Sequence, residues 1–283
     1  MKAATGETLK EMLRRADEGG YAVPMFDYTD YWDQLAVIEA AEELHAPIMF
    51  ASIPKTVQEL GVDVLGAVGK LRMEHSMLPI IHHLDHANTV ELCRAAIDAG
   101  YPSVMIDASK QSLEENISMT KAVVQYAHAH EACVEAEIGK IKGRDYESTF
   151  DGGDFLVQVD DAVELVRQTR VDALGTAHGF YQGKPEINFK RLAEVNEALD
   201  IPLVLHGGTG IPEEDVRKAI RNGINKVNVG TQIRYTYMSS VVDIVQKRGA
   251  VTHTIDIMQE VLPYIKKVAS DWIRVCMADG KAE

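Results

Sequence analysis

Three histidines stand among small or acidic residues directly after short apolar runs: Leu84-Asp85-His86, Thr176-Ala177-His178-Gly179 and Leu205-His206-Gly207-Gly208-Thr209-Gly210. The runs before them, residues 79–83, 171–175 and 202–205, are bounded by turn or charged residues, as expected of strands buried on both faces of a parallel sheet. The histidines then fall at the carboxyl ends of strands. In a barrel of alternating strands and helices those ends meet on one face, where imidazoles distant in sequence converge on one metal ion. Three neutral imidazoles suit zinc and leave a coordination position open for substrate oxygens. A second chemistry belongs to the glycine-rich turns at 207–210 and at Val229-Gly230-Thr231. Turns of that type let backbone N–H groups and a helix N-terminus approach an anion such as phosphate. His82 and His83 lie within a strand run and read as structural.

Such residues need a scaffold to hold them, and the apolar signal alternates in type along the chain. Residues 21–26, 47–51, 78–84, 103–106, 133–138, 172–175, 202–205 and 226–229 read as strands. Residues 32–44, 89–99, 113–130, 160–168, 189–199 and 212–222 read as helices between them. This order predicts the α/β class and a closed (β/α)8 TIM barrel, one domain over residues 1–283, with about 232–283 a helical C-terminal extension. Residues 139–158 are too long, polar and glycine-bearing for an ordinary connection and predict a mobile active-site loop.

A net charge of −14 argues against a nucleic-acid surface, whose affinity rests on neutralising phosphates. No run of eighteen apolar residues occurs, and residues 1–15 form a charged helical stretch rather than a signal peptide. A cytoplasmic protein without a membrane or nucleic-acid partner is expected. The three cysteines, Cys93, Cys133 and Cys276, are widely spaced and form no Cys-x-x-Cys pair, so they read as core residues rather than disulfides or zinc ligands.

Five segments in order complete the pattern: Leu84-Asp85-His86, Val134-Glu135-Ala136-Glu137-Ile138-Gly139, Gly175-Thr176-Ala177-His178-Gly179, Leu205-His206-Gly207-Gly208-Thr209-Gly210 and Lys226-Val227-Asn228-Val229-Gly230-Thr231. From residue 23 to about 231 the chain resembles the class II, metal-dependent ketose-bisphosphate aldolases of the fructose- and tagatose-bisphosphate type. The resemblance implies reversible cleavage of a phosphorylated ketose into dihydroxyacetone phosphate and an aldehyde through a metal-stabilised enediolate. It makes His86, His178 and His206 the metal ligands, with Glu137 approaching the metal or supporting its ligands. The ion would be Zn2+ or another divalent metal such as Co2+ or Mn2+, with a monovalent cation as a further expectation. Asp85 becomes the catalytic acid/base, and the loop supplies a second proton-transfer group, Asp145 or Glu147. Gly179, Gly207, Gly208, Thr209, Gly230 and Thr231 would surround the substrate phosphate, Asn228 its hydroxyl or enediolate, and Asp27 and Ser52 would complete the substrate site. A homodimer or homotetramer is implied as well.

Departures from the family pattern bear on the far end of the substrate. Where the family commonly has Asp or Ala before Thr, this chain has Gly230, and where it usually reads Phe-Asn, Phe26 is followed by Asp27. Arg144, Lys142, Lys184 and Arg234 are the candidates for a distal anion contact. Fructose or tagatose 1,6-bisphosphate is the default substrate. The alternatives are a ketose 1-phosphate with a sulfonated or deoxygenated far end, such as sulfofructose 1-phosphate, and a non-catalytic metal-binding barrel subunit.

Overall fold

The computed structural model describes residues 4–139, 157–176, 187–249 and 252–282. After helix α1 (Gly6–Gly19) the chain runs β1 (Val23–Asp27), α2 (Tyr31–Leu44), β2 (Ile48–Ser52), α3 (Pro54–Leu60), α4 (Val62–His75), β3 (Ile80–Ala87), α5 (Val90–Asp98), β4 (Ser103–Ile106), α6 (Leu113–Ala129) and β5 (Cys133–Ile138). It continues as α7 (Val159–Thr169), β6 (Ala173–Thr176), α8 (Phe189–Ala198), β7 (Leu203–Leu205), α9 (Glu213–Arg221), β8 (Ile224–Val229), α10 (Thr231–Arg248) and α11 (Thr254–Val275). The eight strands pair in sequence order, all parallel, and β8 closes on β1. This is the expected (β/α)8 barrel.

Local chemistry explains the elements. Asp30, Thr89, Ser112 and Asn188 cap the amino-terminal turns of α2, α5, α6 and α8 by accepting backbone N–H bonds. β1, β2, β3, β5, β7 and β8 are buried at every residue, as strands covered by helices on one face and by the barrel interior on the other must be. Helix α1 lies across the amino-terminal ends of β5 and β8, where Cys133 Sγ donates to the Gly6 carbonyl and Asn225 Nδ2 to Asp17 Oδ1. Helix α10 takes the place of the eighth barrel helix, and α11 packs on both α2 and α10.

Three elements, all between β2 and β4, differ from the sequence expectation. The connection from β2 to β3 carries two helices, α3 begun by Pro54 at a position that tolerates proline, and α4. Their apolar residues follow a weak helical period, because only Leu65, Gly66 and Gly69 of α4 are buried. β3 also runs further than expected, through His86 to Ala87.

Along the strands the inward-facing row changes character from one end of the barrel to the other. Met49, Ser103, Glu135 and Lys226 line the amino-terminal side beside α1, while Asp85, Glu137 and Asn228 stand toward the carboxyl-terminal mouth, all buried. His82, one residue from His83, points outward instead. Its ring stacks on Phe50 at 4.8 Å and on Tyr101 at 3.9 Å between centroids, and its Nε2 meets the Tyr28 hydroxyl at 2.7 Å. Burial pushes the His82 imidazole down to about 3, so it stays neutral in this layer.

Candidate active site

The cluster at the carboxyl-terminal mouth begins with a break in strand regularity. Successive strand residues point to opposite faces, yet Asp85 and His86 both serve the same cavity. The backbone achieves this at His86, whose φ of 52° lies in the left-handed region, and the β3–β4 register shifts between Leu84 and Ala87. The bend turns the His86 ring inward beside the Asp85 carboxylate, with Nε2 3.7 Å from Asp85 Oδ2.

Each imidazole is held by its far nitrogen. His86 Nδ1 sits 2.8 Å from Asp107 Oδ2, while Asp107 Oδ1 accepts from the Ser109 hydroxyl and amide. Burial alone would raise the Asp107 carboxyl, but the His86 and Ser109 hydrogen bonds outweigh it and hold the group well below the usual carboxylate range. His206 Nε2 lies 3.0 Å from Glu137 Oε2 and 3.2 Å from Glu135 Oε1. Burial pushes the His206 imidazole down, but the two carboxylates prevail and lift it to about 10. Glu135 is in turn neutralised by Lys226, whose ammonium donates to Oε2 at 2.6 Å. The Glu135 carboxyl is therefore held far below its ordinary range although it is fully enclosed.

What remains is a convergence of donors. His86 Nε2 and His206 Nδ1 face each other at 3.1 Å, and with Asp85 they form a group whose ligand atoms all lie within 4.8 Å of one another. Two imidazoles fixed from behind by carboxylates, with their inner nitrogens this close, have the donor set and spacing of a transition-metal site. Asn228 Nδ2 lies 2.9 Å from His206 Nδ1 and donates to Asp85 Oδ1 at 3.2 Å, so it ties the acid to the ligand pair. Among the described residues, Asn228 Oδ1 and Thr209 Oγ1 are buried without a hydrogen-bond partner. Such atoms at a cavity mark places where a ligand completes the site.

Adjacent to this cluster, the turn after β7 carries Gly207 through Gly210 and its Gly208 amide donates to the Asn228 carbonyl at 3.1 Å. The next turn leads from Val229 into α10, whose first residue is Thr231. Two strand-to-helix turns thus lie side by side over neighbouring strands, with the start of an 18-residue helix beneath one of them, which is the arrangement that binds phosphate in barrels of this class. The family model described as Fructose-bisphosphate aldolase class-II matches residues 7–281. The chain belongs to that family.

The class II aldolase is 40% identical over 241 residues to 6-phospho-5-dehydro-2-deoxy-D-gluconate aldolase of Halalkalibacterium halodurans, with 83% of each chain covered. It is 36% identical over 267 residues to the protein of that name from Bacillus subtilis, covering 89% of this chain and 91% of the other. Among solved structures it resembles the YdjI aldolase of Escherichia coli K12, with a TM-score of 0.85 at 29% identity over 97% of this chain and 98% of that one. The aldolase is accordingly a metal-dependent aldehyde-lyase on a TIM barrel.

The structure brings together His86, His206, Asp85, Asn228 and Glu137 from the sequence expectation. Glu137 stands behind His206, against the nitrogen turned away from His86. Asp27 lies at the mouth beside Gly230 and pairs with Arg234 Nη1 at 3.0 Å. Ser52 is placed elsewhere: it is fully buried, and its hydroxyl meets the Tyr101 hydroxyl at 2.9 Å. His178, Gly179, Asp145, Glu147, Lys142, Arg144 and Lys184 lie outside the described residues.

Sequence reasoning passed over Asp107, Glu135, Lys226 and Gly175. Asp107 directly follows β4, a position the barrel rule marks as functional. Glu135 and Glu137 are two apart on β5, and Lys226 and Asn228 are two apart on β8, so period-two alternation puts all three charges inside the barrel. Gly175 is dictated by space: a Cβ there would lie 2.4 Å from His206 Nε2 and 2.7 Å from Glu137 Oε2.

Proposed function

We propose that this aldolase cleaves 6-phospho-5-dehydro-2-deoxy-D-gluconate between C3 and C4, giving dihydroxyacetone phosphate and 3-oxopropanoate. The observation that carries the reading is the substrate named in the relatives at 36–40% identity, two of which span about nine-tenths or more of this chain. It falls within the deoxygenated-sugar alternative and displaces fructose or tagatose 1,6-bisphosphate as the first expectation.

The residues supply the parts of a retro-aldol reaction. The C5 ketone of the substrate makes C4 the carbon that leaves with the bonding electrons, and the C3 hydroxyl must lose its proton as the aldehyde forms. Asp85, tied to Asn228 and next to the ligand pair, is the group that takes this proton. His86 through Nε2 and His206 through Nδ1 would hold the divalent metal, with His178 as the third ligand, and Glu137 supports His206 from behind. When bound, the metal polarises the ketone and stabilises the negative charge that develops on its oxygen. Asn228 Oδ1 is positioned for a substrate hydroxyl, and the turn at 207–210 with the start of α10 at Thr231 holds the phosphate through backbone N–H groups. Asp145 or Glu147 returns a proton to carbon in the dihydroxyacetone phosphate half.

The three cysteines are unpaired and buried, in keeping with a reducing, cytoplasmic setting. Among the described residues no helix is long and apolar enough to cross a membrane. Exposed Tyr235, Met238 and Val242 recur along one face of α10 and support a homo-oligomer.

The test is release of dihydroxyacetone phosphate from the keto acid phosphate, fructose 1,6-bisphosphate and tagatose 1,6-bisphosphate by enzyme reconstituted with Zn2+, Co2+ or Mn2+. The expected result is the highest kcat/KM for the keto acid phosphate. A higher value for either bisphosphate refutes the substrate assignment, and bound metal without turnover of any of the three favours a non-catalytic subunit.

A further inference from the structure

Asp27 and Gly230 form one device. Met25 pairs with Asn228 and Phe26 with Val229, so Asp27 comes level with Gly230, one inward-facing step beyond Asn228 toward the mouth. The Asp27 side chain is buried and its Oδ2 lies 3.0 Å from Arg234 Nη1. A Cβ on residue 230 would stand 2.0 Å from that same Oδ2 and 3.1 Å from Arg234 Nη1. Gly230 has φ −110°, a conformation open to every L-residue, so its glycine is required for room and not for backbone freedom. A carboxylate at 27 and a missing side chain at 230 therefore depend on each other.

The consequence is electrostatic. Arg234 leans over the mouth from the first turn of α10, with 41% of its side chain exposed and one side of the guanidinium already matched by Asp27. A planar singly charged carboxylate can take a second edge of that fork in bidentate geometry. A phosphate brings up to two negative charges beside the buried Asp27 carboxylate, which already engages the Arg234 guanidinium. Taking the keto acid phosphate reading as its basis, we infer that Asp27, Gly230 and Arg234 form the specificity element for the far end of the substrate, accepting a terminal carboxylate and rejecting a terminal phosphate.

The test compares kcat/KM for the keto acid phosphate and for fructose 1,6-bisphosphate in the metal-loaded wild type, Asp27→Asn and Asp27→Ala. Removing the carboxylate charge is expected to shift the ratio toward the bisphosphate by at least about tenfold, mainly through a lower KM for the bisphosphate. Arg234→Met is expected to raise KM for the keto acid phosphate about tenfold or more. The two Asp27 variants cover the case in which one of them folds poorly, and melting temperature with metal content establishes that each is intact. A ratio that moves less than about threefold in both overturns the inference, whichever substrate the wild type prefers. A wild type that prefers the bisphosphate overturns the substrate reading instead, so the two failures are read from different enzymes.

Discussion

Replacing Lys226 with Met should unsettle the barrel in a way that can be worked from the structure. Lys226 and Glu135 are 1% and 3% exposed, and their 2.6 Å contact is shut inside the barrel. The methionine fills the space of the lysine stem but leaves the Glu135 carboxylate without its cation. Breaking a buried pair by removing one partner costs about 3–5 kcal/mol. At roughly 2–4 °C per kcal/mol for a chain of this size class, the melting temperature should fall by about 6–20 °C. The pH dependence should change sign as well. In the wild type the Glu135 carboxyl is depressed, so its contribution is present above the unfolded value of about 4.3 and is lost as pH falls through the folded one. Without Lys226, Glu135 and Glu137 compete for the single imidazolium of His206, burial governs, and one carboxyl titrates above its unfolded value. Stability of the variant should then decline as pH rises from about 5 to 8. The double variant Glu135→Gln/Lys226→Met removes both charges and should recover at least half of the loss. Scanning calorimetry and urea titration of the metal-free proteins across this pH range provide the measurement. A loss below about 1 kcal/mol at neutral pH, or a double variant no more stable than the single one, would refute the reasoning.

Three further outcomes concern the metal. Asp107→Asn should weaken metal affinity by about 10- to 100-fold, measured by competition with a coloured chelator, because it loosens the grip on His86 Nδ1; affinity within twofold of the wild type would count against that role. Gly175→Ala should drive His206 and Glu137 apart and lower affinity by a similar factor, with most of the fold's circular dichroism retained. Because His206 is raised to about 10, the metal must displace a proton, so titration in weak buffer should release about one proton per metal and apparent affinity should climb up to about tenfold per pH unit between about 6.5 and 10. In the metal-free protein the same group contributes stability fully below about 6.5, lost as pH rises through about 10.

The barrel was legible because its strands are doubly covered: runs such as 103–106 and 133–138 match β4 and β5 to the residue. Boundaries slipped where local geometry overrides pattern. β3 passes through His86 because a left-handed residue is accommodated inside the strand, and alternation alone would have sent that ring outward. Helices α3 and α4 leave little trace in the sequence, since α4 rests on the barrel through Leu65 and two glycines and shows almost no apolar stripe. In the site, the residues that point at the cavity carried family signatures. Asp107 lies outside every signature segment, and although Glu135 and Lys226 lie inside two of them, their pairing depends on spacing in three dimensions between β5 and β8. Asp27 and Gly230 could be flagged as departures, but their mutual dependence appears only when the two strands are set side by side.

The placement of α11 sets the order in which the molecule can be completed. Helix α2 is buried along Ala36, Val37, Ala40 and Ala41 and packs against α11, whose own buried residues include Ile257, Val261 and Ile265. More than two hundred residues separate these helices in the chain. At a synthesis rate of about 5–20 residues per second, α2 waits on the order of ten to forty seconds for its outer cover. During that interval a nascent chain displays an apolar helix face that the finished protein never shows. Damage to α11 should therefore surface as aggregation during synthesis, and as a need for chaperone protection, before it is seen as a loss of catalysis.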